Sequence, residues 1–193
     1  MQLEMVTAPA SMPATVAELR YQCWEIYDRE ADDDTYLEQL IARATAHVET
    51  VTNRKLVSQT WRGYLPAWPA GVIELPFGRV SEIKRFNWMD EGGVDHVLVA
   101  DTDYRAALVG YYPSVLPVSS WPSGALFPVD PIRVEFVAGF GAPAAVPADL
   151  KHAILQLAAH WYKSREIVRI GNVVSALPHV FDALLAPWKI RHV

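Results

Sequence analysis

Ile132-Arg133-Val134-Glu135-Phe136-Val137-Ala138-Gly139-Phe140-Gly141, continued through Val146-Pro147-Ala148-Asp149-Leu150 to Trp161, is the stretch where two periodicities meet. Ile132, Val134, Phe136 and Ala138 alternate with Arg133, Glu135 and Val137, the pattern of a half-buried strand. The period then lengthens. Leu150, Ala153, Ile154, Leu157, Ala158 and Trp161 recur at helical spacing. Pro147 suits a first helical position, where no amide is needed, and Asp149 suits the positive end of the helix dipole. The spacing predicts a helix over 147–167, with Gly171 a break beyond it. Leu150, Ile154, Leu157 and Trp161 are its expected core or interface residues.

Upstream of this stretch, residues 56–141 are rich in Pro, Gly, Trp and β-formers. Strands are expected at Leu56–Arg62 and Val72–Leu75. Ile83–Met89 and Val97–Ala100 flank the turn signal Asp90-Glu91-Gly92-Gly93 and predict a hairpin. Residues 106–127, with Pro113, Pro117 and Pro122, read as a long extended loop. Two helices are expected before the β region. The first covers 15–28: Thr15 and Glu18 form a capping box, and Val16, Leu19, Cys23, Ile26 and Tyr27 share one side. The second covers 35–53, with Leu37, Leu40, Ile41, Ala44, Val48 and Val51 as its stripe and Asn53 as a stop. The run Asp32-Asp33-Asp34 belongs at its positive end rather than around a metal. Residues 1–13 read as a loose arm.

At the other end, Val180, Phe181, Leu184 and Leu185 suit a short amphipathic helix that Pro187 stops; Trp188, Ile190 and Arg191 follow. So apolar a terminus is unfavourable in water. It either folds back on its own domain or docks on another protein through Phe181, Leu184, Leu185, Trp188, Ile190 and Arg191. The expected fold class is therefore mainly α with an inserted β part (α+β). A helical bundle of N-terminal helices and a long C-terminal helix would make one domain over 1–170. A small β subdomain (56–141) would lie between them, and 171–193 would form an extended tail.

Composition narrows the function classes. Hydrophobic residues make up 51% and charged residues 20% of 193, with net charge -5. The charged share is slightly below the usual ~25%, which suits a surface partly covered by partners. No basic stripe supports binding to DNA phosphates. A single cysteine, Cys23, rules out an internal disulfide and a multi-thiolate metal site. No segment approaches the ~20 apolar residues of a membrane span, and the N-terminus lacks a signal-peptide pattern, so synthesis in the cytoplasm is expected.

Residues for catalysis do not assemble either. Phosphate-binding glycine loops, zinc-protease and deaminase patterns and the nucleophile-elbow pattern are all missing from the sequence. Asp101 and Asp103 form a D-x-D, a pattern common by chance. His152 and His160 lie about 12 Å apart along a helix axis, too far to share a metal. His160 and Glu166 have no nucleophile nearby in sequence. Trp61, Trp68, Trp88 and Trp121 could stack on bases or sugars, but core or interface roles suit them better. No catalytic residue, metal ligand or cofactor is expected.

An ordered set of segments is similar to the phage head–tail connector (adaptor) family of tailed phages, prophages and gene transfer agents. The first runs from Asp32-Asp33-Asp34-Thr35-Tyr36-Leu37 through Ala46-His47-Val48-Glu49 and Asn53-Arg54-Lys55-Leu56 to Trp61. Glu74-Leu75-Pro76-Phe77-Gly78-Arg79-Val80-Ser81-Glu82-Ile83 follows, with Phe86, Trp88, Asp90 and Gly92, then Tyr104 and Trp121-Pro122. The most specific is the opening stretch, continued to Trp161-Tyr162, Arg165-Glu166, Leu177-Pro178, Leu184-Leu185 and Pro187. The resemblance covers roughly 15–193. It implies a non-enzymatic subunit of a ring, a dodecamer in this family, at the head–tail junction of the virion. The ring would sit under the portal protein, which the segment from Gly171 to Val193 would reach. A stopper or tail protein would bind on the other side, and double-stranded DNA would pass without sequence-specific binding. A stopper or tail-completion protein is the alternative within the same machine. A small carbohydrate- or cell-wall-acting hydrolase is the alternative of another class, but it needs a carboxylate pair in a cleft.

Overall fold

A computed structural model describes residues 1–23, 34–163 and 179–190. The chain divides into two compact units. Met1–Ala10 and Val57–Phe140 make the first; Ser11–Leu56 and Gly141–Val193 make the second.

The first unit is built on β8 (Ile132–Ala138), the strand that the alternation marks. Ile132, Val134, Phe136 and Ala138 are buried, and the three residues between them are half-exposed. β8 is the middle of a five-stranded antiparallel sheet. β2 (Gln59–Leu65) flanks it on one side and β4 (Val80–Met89) on the other. β1 (Gln2–Thr7) lies outside β2, and β5 (Asp95–Val97) lies outside β4. A second antiparallel sheet has β7 (Ser114–Pro117) between β3 (Ile73–Glu74) and β6 (Tyr104–Ala107). One buried cluster draws on both sheets, with Ile73, Tyr104 and Val115 beside Phe86, Val134 and Phe136.

In the second unit, Thr15 makes both bonds of the capping box that starts α1 (Val16–Gln22). α2 (Asp34–Thr52) buries Leu37, Leu40, Ile41, Ala44 and Val48. Its first-turn Asp34 accepts hydrogen bonds from Arg20 of α1, while Asp32 and Asp33 lie outside the described residues. Asn53 ends α2 with a left-handed φ of 53°, a conformation asparagine tolerates. α3 (Ala148–Lys163) packs on α2, α1 and α4 (His179–Leu185). The expected ends of the first and third helices, to 28 and 167, fall outside the described residues.

The expected mainly helical bundle is corrected. Of the described residues, 33% are helical and 28% are in strands, and the strands form two antiparallel sheets. The fold is α+β with the β part as a full partner, and α3 is not the long C-terminal helix of a bundle. Two misreadings account for this. The N-terminal arm is β1, an edge strand ordered by pairing with a segment sixty residues away. Residues 106–127, read as loop, contain β7, whose Pro117 lies at the strand end, where a missing amide is tolerated.

Candidate interaction surfaces

The C-terminal segment lies on the core of its own unit. Phe181 and Leu185, one helical turn apart on α4, are buried, and Phe181 lies 6.0 Å from the His47 ring of α2. Beyond α4, Arg54 donates from Nε to the Trp188 carbonyl at 2.8 Å, and Ile190 donates its amide to the Thr52 carbonyl. Arg54 is itself buried, so this charge-assisted bond pins the end of the segment to the end of α2. Of the six expected docking residues, Phe181 and Leu185 therefore serve the fold: their apolar area is already removed from water. Leu184, Trp188 and Ile190 are partly buried and keep a smaller share of their surface in water, and Arg191 lies outside the described residues.

On α3, Leu150, Ile154 and Leu157 are fully buried as core. Trp161 is only half-buried; Arg43 covers its ring at 5.0 Å. Tyr162, which the stripe did not include, is the buried aromatic of the last turn.

The weak chemical candidates resolve into structure. Asp101 has a left-handed φ of 64°, and its amide bonds to the Tyr104 carbonyl. Asp103 accepts the Val99 amide at 2.7 Å. Asp103 does line a hollow of about 270 Å³ with Trp121 and three serines, but a hydrolase needs a second carboxylate there. His152 bonds Gln156 on its own helix. Among the described residues no cluster of His, Cys, Asp and Glu could hold a metal. Trp68 and Trp121 stack on each other at 4.9 Å and meet Phe86, so those rings are taken up by the fold rather than offered to bases or sugars.

The polar face of the five-stranded sheet was not anticipated as a unit. Arg62, Tyr64, Arg85, Asn87, Asp95, Arg133 and Glu135 line a shallow hollow of about 360 Å³ on it. Arg62 pairs with Glu135 at 2.9 Å and Arg85 with Asp95 at 3.0 Å. Hydrogen bonding to Tyr64, then to Glu135, holds the Arg62 guanidinium above its ordinary pKa. At the hairpin between β4 and β5, Asp90 meets His96 at 2.8 Å and accepts the Val94 amide. The His96 bond first, and the amide second, hold the Asp90 carboxyl below its ordinary 3.8. A depressed carboxyl adds stability above its unfolded pKa and loses it as pH falls through the folded value. Acidification below about pH 4 is therefore expected to lower the protection of the Val94 amide relative to its intrinsic exchange rate at each pH, and Asp90→Asn to remove that acid limb.

No protein-family model and no curated protein matches the chain. Solved structures do. The chain is similar over 100% of its length, and 97% of theirs, to chains in the neck of an empty gene transfer agent particle computed with C6 symmetry (27% identity, TM-score 0.82) and the neck of a native particle computed with C12 symmetry (26%, 0.79). A chain of the native particle's virion matches to the same extent (26%, 0.78). The first two neighbours belong to a particle's neck and the third to its virion, and the match leaves neither unit of this chain unaccounted for. The fold is shared end to end with these structural components and the motifs lie in order along the sequence, which supports the resemblance to the head–tail connector family and a structural rather than catalytic role.

Proposed function

We propose that this chain is the adaptor subunit of a tailed phage or gene transfer agent, and that copies of it form a ring between the portal and the stopper or tail. The supporting observation is its full-length likeness to neck structures computed with C6 and C12 symmetry. Twelve is a multiple of six, so a twelve-fold ring suits both. Symmetric rings need two different patches per subunit that meet head to tail. Double-stranded DNA would cross the ring without being gripped, in keeping with the net charge of -5. The C-terminal segment reaches the portal through the surface that Leu184, Trp188 and Ile190 leave open, while Phe181 and Leu185 anchor it at its base. Repeated around a ring, such small contacts gain strongly from multivalency.

The test is the mass of the protein alone and mixed with its portal, by light scattering. Ring-sized complexes with portal are the expected result. Leu184→Ser with Ile190→Ser is expected to weaken them at least tenfold while the free chain keeps the helical circular dichroism of the parent. This pair is preferable to truncation, which would remove the buried Phe181 and Leu185. A chain that stays monomeric and indifferent to portal would overturn the adaptor reading.

A further inference from the structure

We infer that the two outer strands of the five-stranded sheet are the two halves of the contact between neighbouring copies, with β1 of one copy extending the sheet of the next along β5. This rests on the ring reading above and says where the ring closes.

β1 and β5 are the first and last strands of the sheet, so each has a backbone edge with no strand beside it among the described residues. Such an edge is a template for pairing, and proteins that must stay separate blunt it with charges, prolines, bulges or very short strands. β1 has few of these devices. It contains no Lys, Arg or Pro, and its one register shift falls at its end, between Met5 and Thr7. It pairs along its length with β2, yet all six of its residues are exposed. Leu3, Met5 and Val6 leave 38–49% of their surface in water. Leu3 and Met5 sit opposite Gly63 and Trp61, on the face where Trp61 joins the core. The apolar layer of the sheet therefore runs out to β1 and is left uncovered there.

At the other end, Val94, Val97 and Val99 in and around β5 are 55–58% exposed. The part of β4 that β5 does not cover is managed differently: Glu82, Lys84 and Arg85 and two register shifts interrupt it. β5 itself is only three residues long and begins with Asp95, so the edge it offers is brief, and the exposed valines in and around it carry the apolar contact. An apolar edge at one end of the sheet and an apolar edge at the other make a heterologous pair. Backbone hydrogen bonds give such a joint its strength, and alternate side chains set its register. The occupant is a second copy of this chain.

The experiment places one cysteine on each edge, Met5→Cys with Val97→Cys, in the full chain. The native Cys23 is buried and serves as the silent background. A short bis-maleimide linker, which tolerates uncertainty in register, is added to protein assembled with its portal. The expected result is a ladder of covalent oligomers rising to the ring, absent from the parent and from each single variant. In parallel, Met5→Lys with Val97→Lys is expected to cut the ring-sized fraction at least tenfold without changing the melting curve, because both side chains are exposed in the free subunit. Rings that form in the parent but give no ladder, and that tolerate both lysines, would overturn the edge contact and leave the ring reading standing. A parent chain that forms no ring with portal would overturn both.

Discussion

Gly139→Ala is expected to lower the stability of the free chain by about 3–5 kcal/mol, the sum of a backbone strain and a collision. Gly139 follows β8 with a φ of 128°, a conformation that side chains oppose. A Cβ there would lie 2.7 Å from both the carbonyl carbon and the oxygen of Val57, and 2.8 Å from the Ser58 amide nitrogen. These are backbone atoms just ahead of β2, so no rotamer change relieves the contact. Gly139 also donates its amide to the Arg79 carbonyl, which ties the same peptide to the segment entering β4. The position therefore holds the lead-ins of both neighbours of the central strand. Gly93→Ala is the control. Its φ is 82°, with open space where the Cβ would go, so it carries the conformational cost alone, about 1–2 kcal/mol. Denaturant titration of both variants separates the two effects. A Gly139→Ala midpoint equal to that of Gly93→Ala would mean that Val57 and Ser58 do not lie against the end of β8.

What the sequence revealed and what it hid follow from the range of the interactions involved. β8 and α3 were legible because each carries its signal in consecutive residues: an alternation from Ile132 to Ala138, and a helical stripe through Leu150, Ile154 and Leu157. The hairpin at Asp90–Gly93 was legible for the same local reason. β1 was not. Gln2-Leu3-Glu4-Met5 alternates, but so short a run ahead of Pro9 and Pro13 looks like an arm, and its order comes from β2 far along the chain. β7 was hidden by Pro113 and Pro117, which bracket its one fully buried residue, Val115. Missing those strands turned a balanced α+β fold into an expected helical bundle. The tail was half legible. The spacing of Phe181 and Leu185 marked a helix, but nothing local distinguishes an apolar face docked on its own unit from one kept for a partner. Arg54 shows the difficulty: a charged residue after a helix reads as solvent-exposed, yet it is buried against the Trp188 carbonyl. The family resemblance, resting on ordered motifs rather than on elements, was independent of these errors, and the neck structures agree with it.

Phe136→Ala carries the other large effect, an expected loss of about 3–5 kcal/mol. Phe136 is fully buried at the middle of β8, opposite Trp61 on β2 and Ile83 on β4. Its ring lies 6.2 Å from that of Phe77, which in turn meets Trp61 edge-on at 5.1 Å. Removing the ring leaves a cavity whose walls are a central strand and two aromatic side chains, and such walls collapse little. Phe136→Leu tests which part of the loss is volume. Leucine restores much of the bulk but none of the aromatic contact, so a cost near 1–1.5 kcal/mol is expected. The measurement belongs on the free chain at low concentration, because assembly into a ring would stabilise the folded subunit by mass action and mask the difference. A loss below about 1 kcal/mol for Phe136→Ala would mean that β8 is not the centre of a close-packed layer. The loss expected here, set beside the exposed side chains of β1, also explains how the sheet can serve assembly. Its middle is held by buried contacts that do not involve β1, so under the proposed edge contact the outermost strand can stay open without loss to the core.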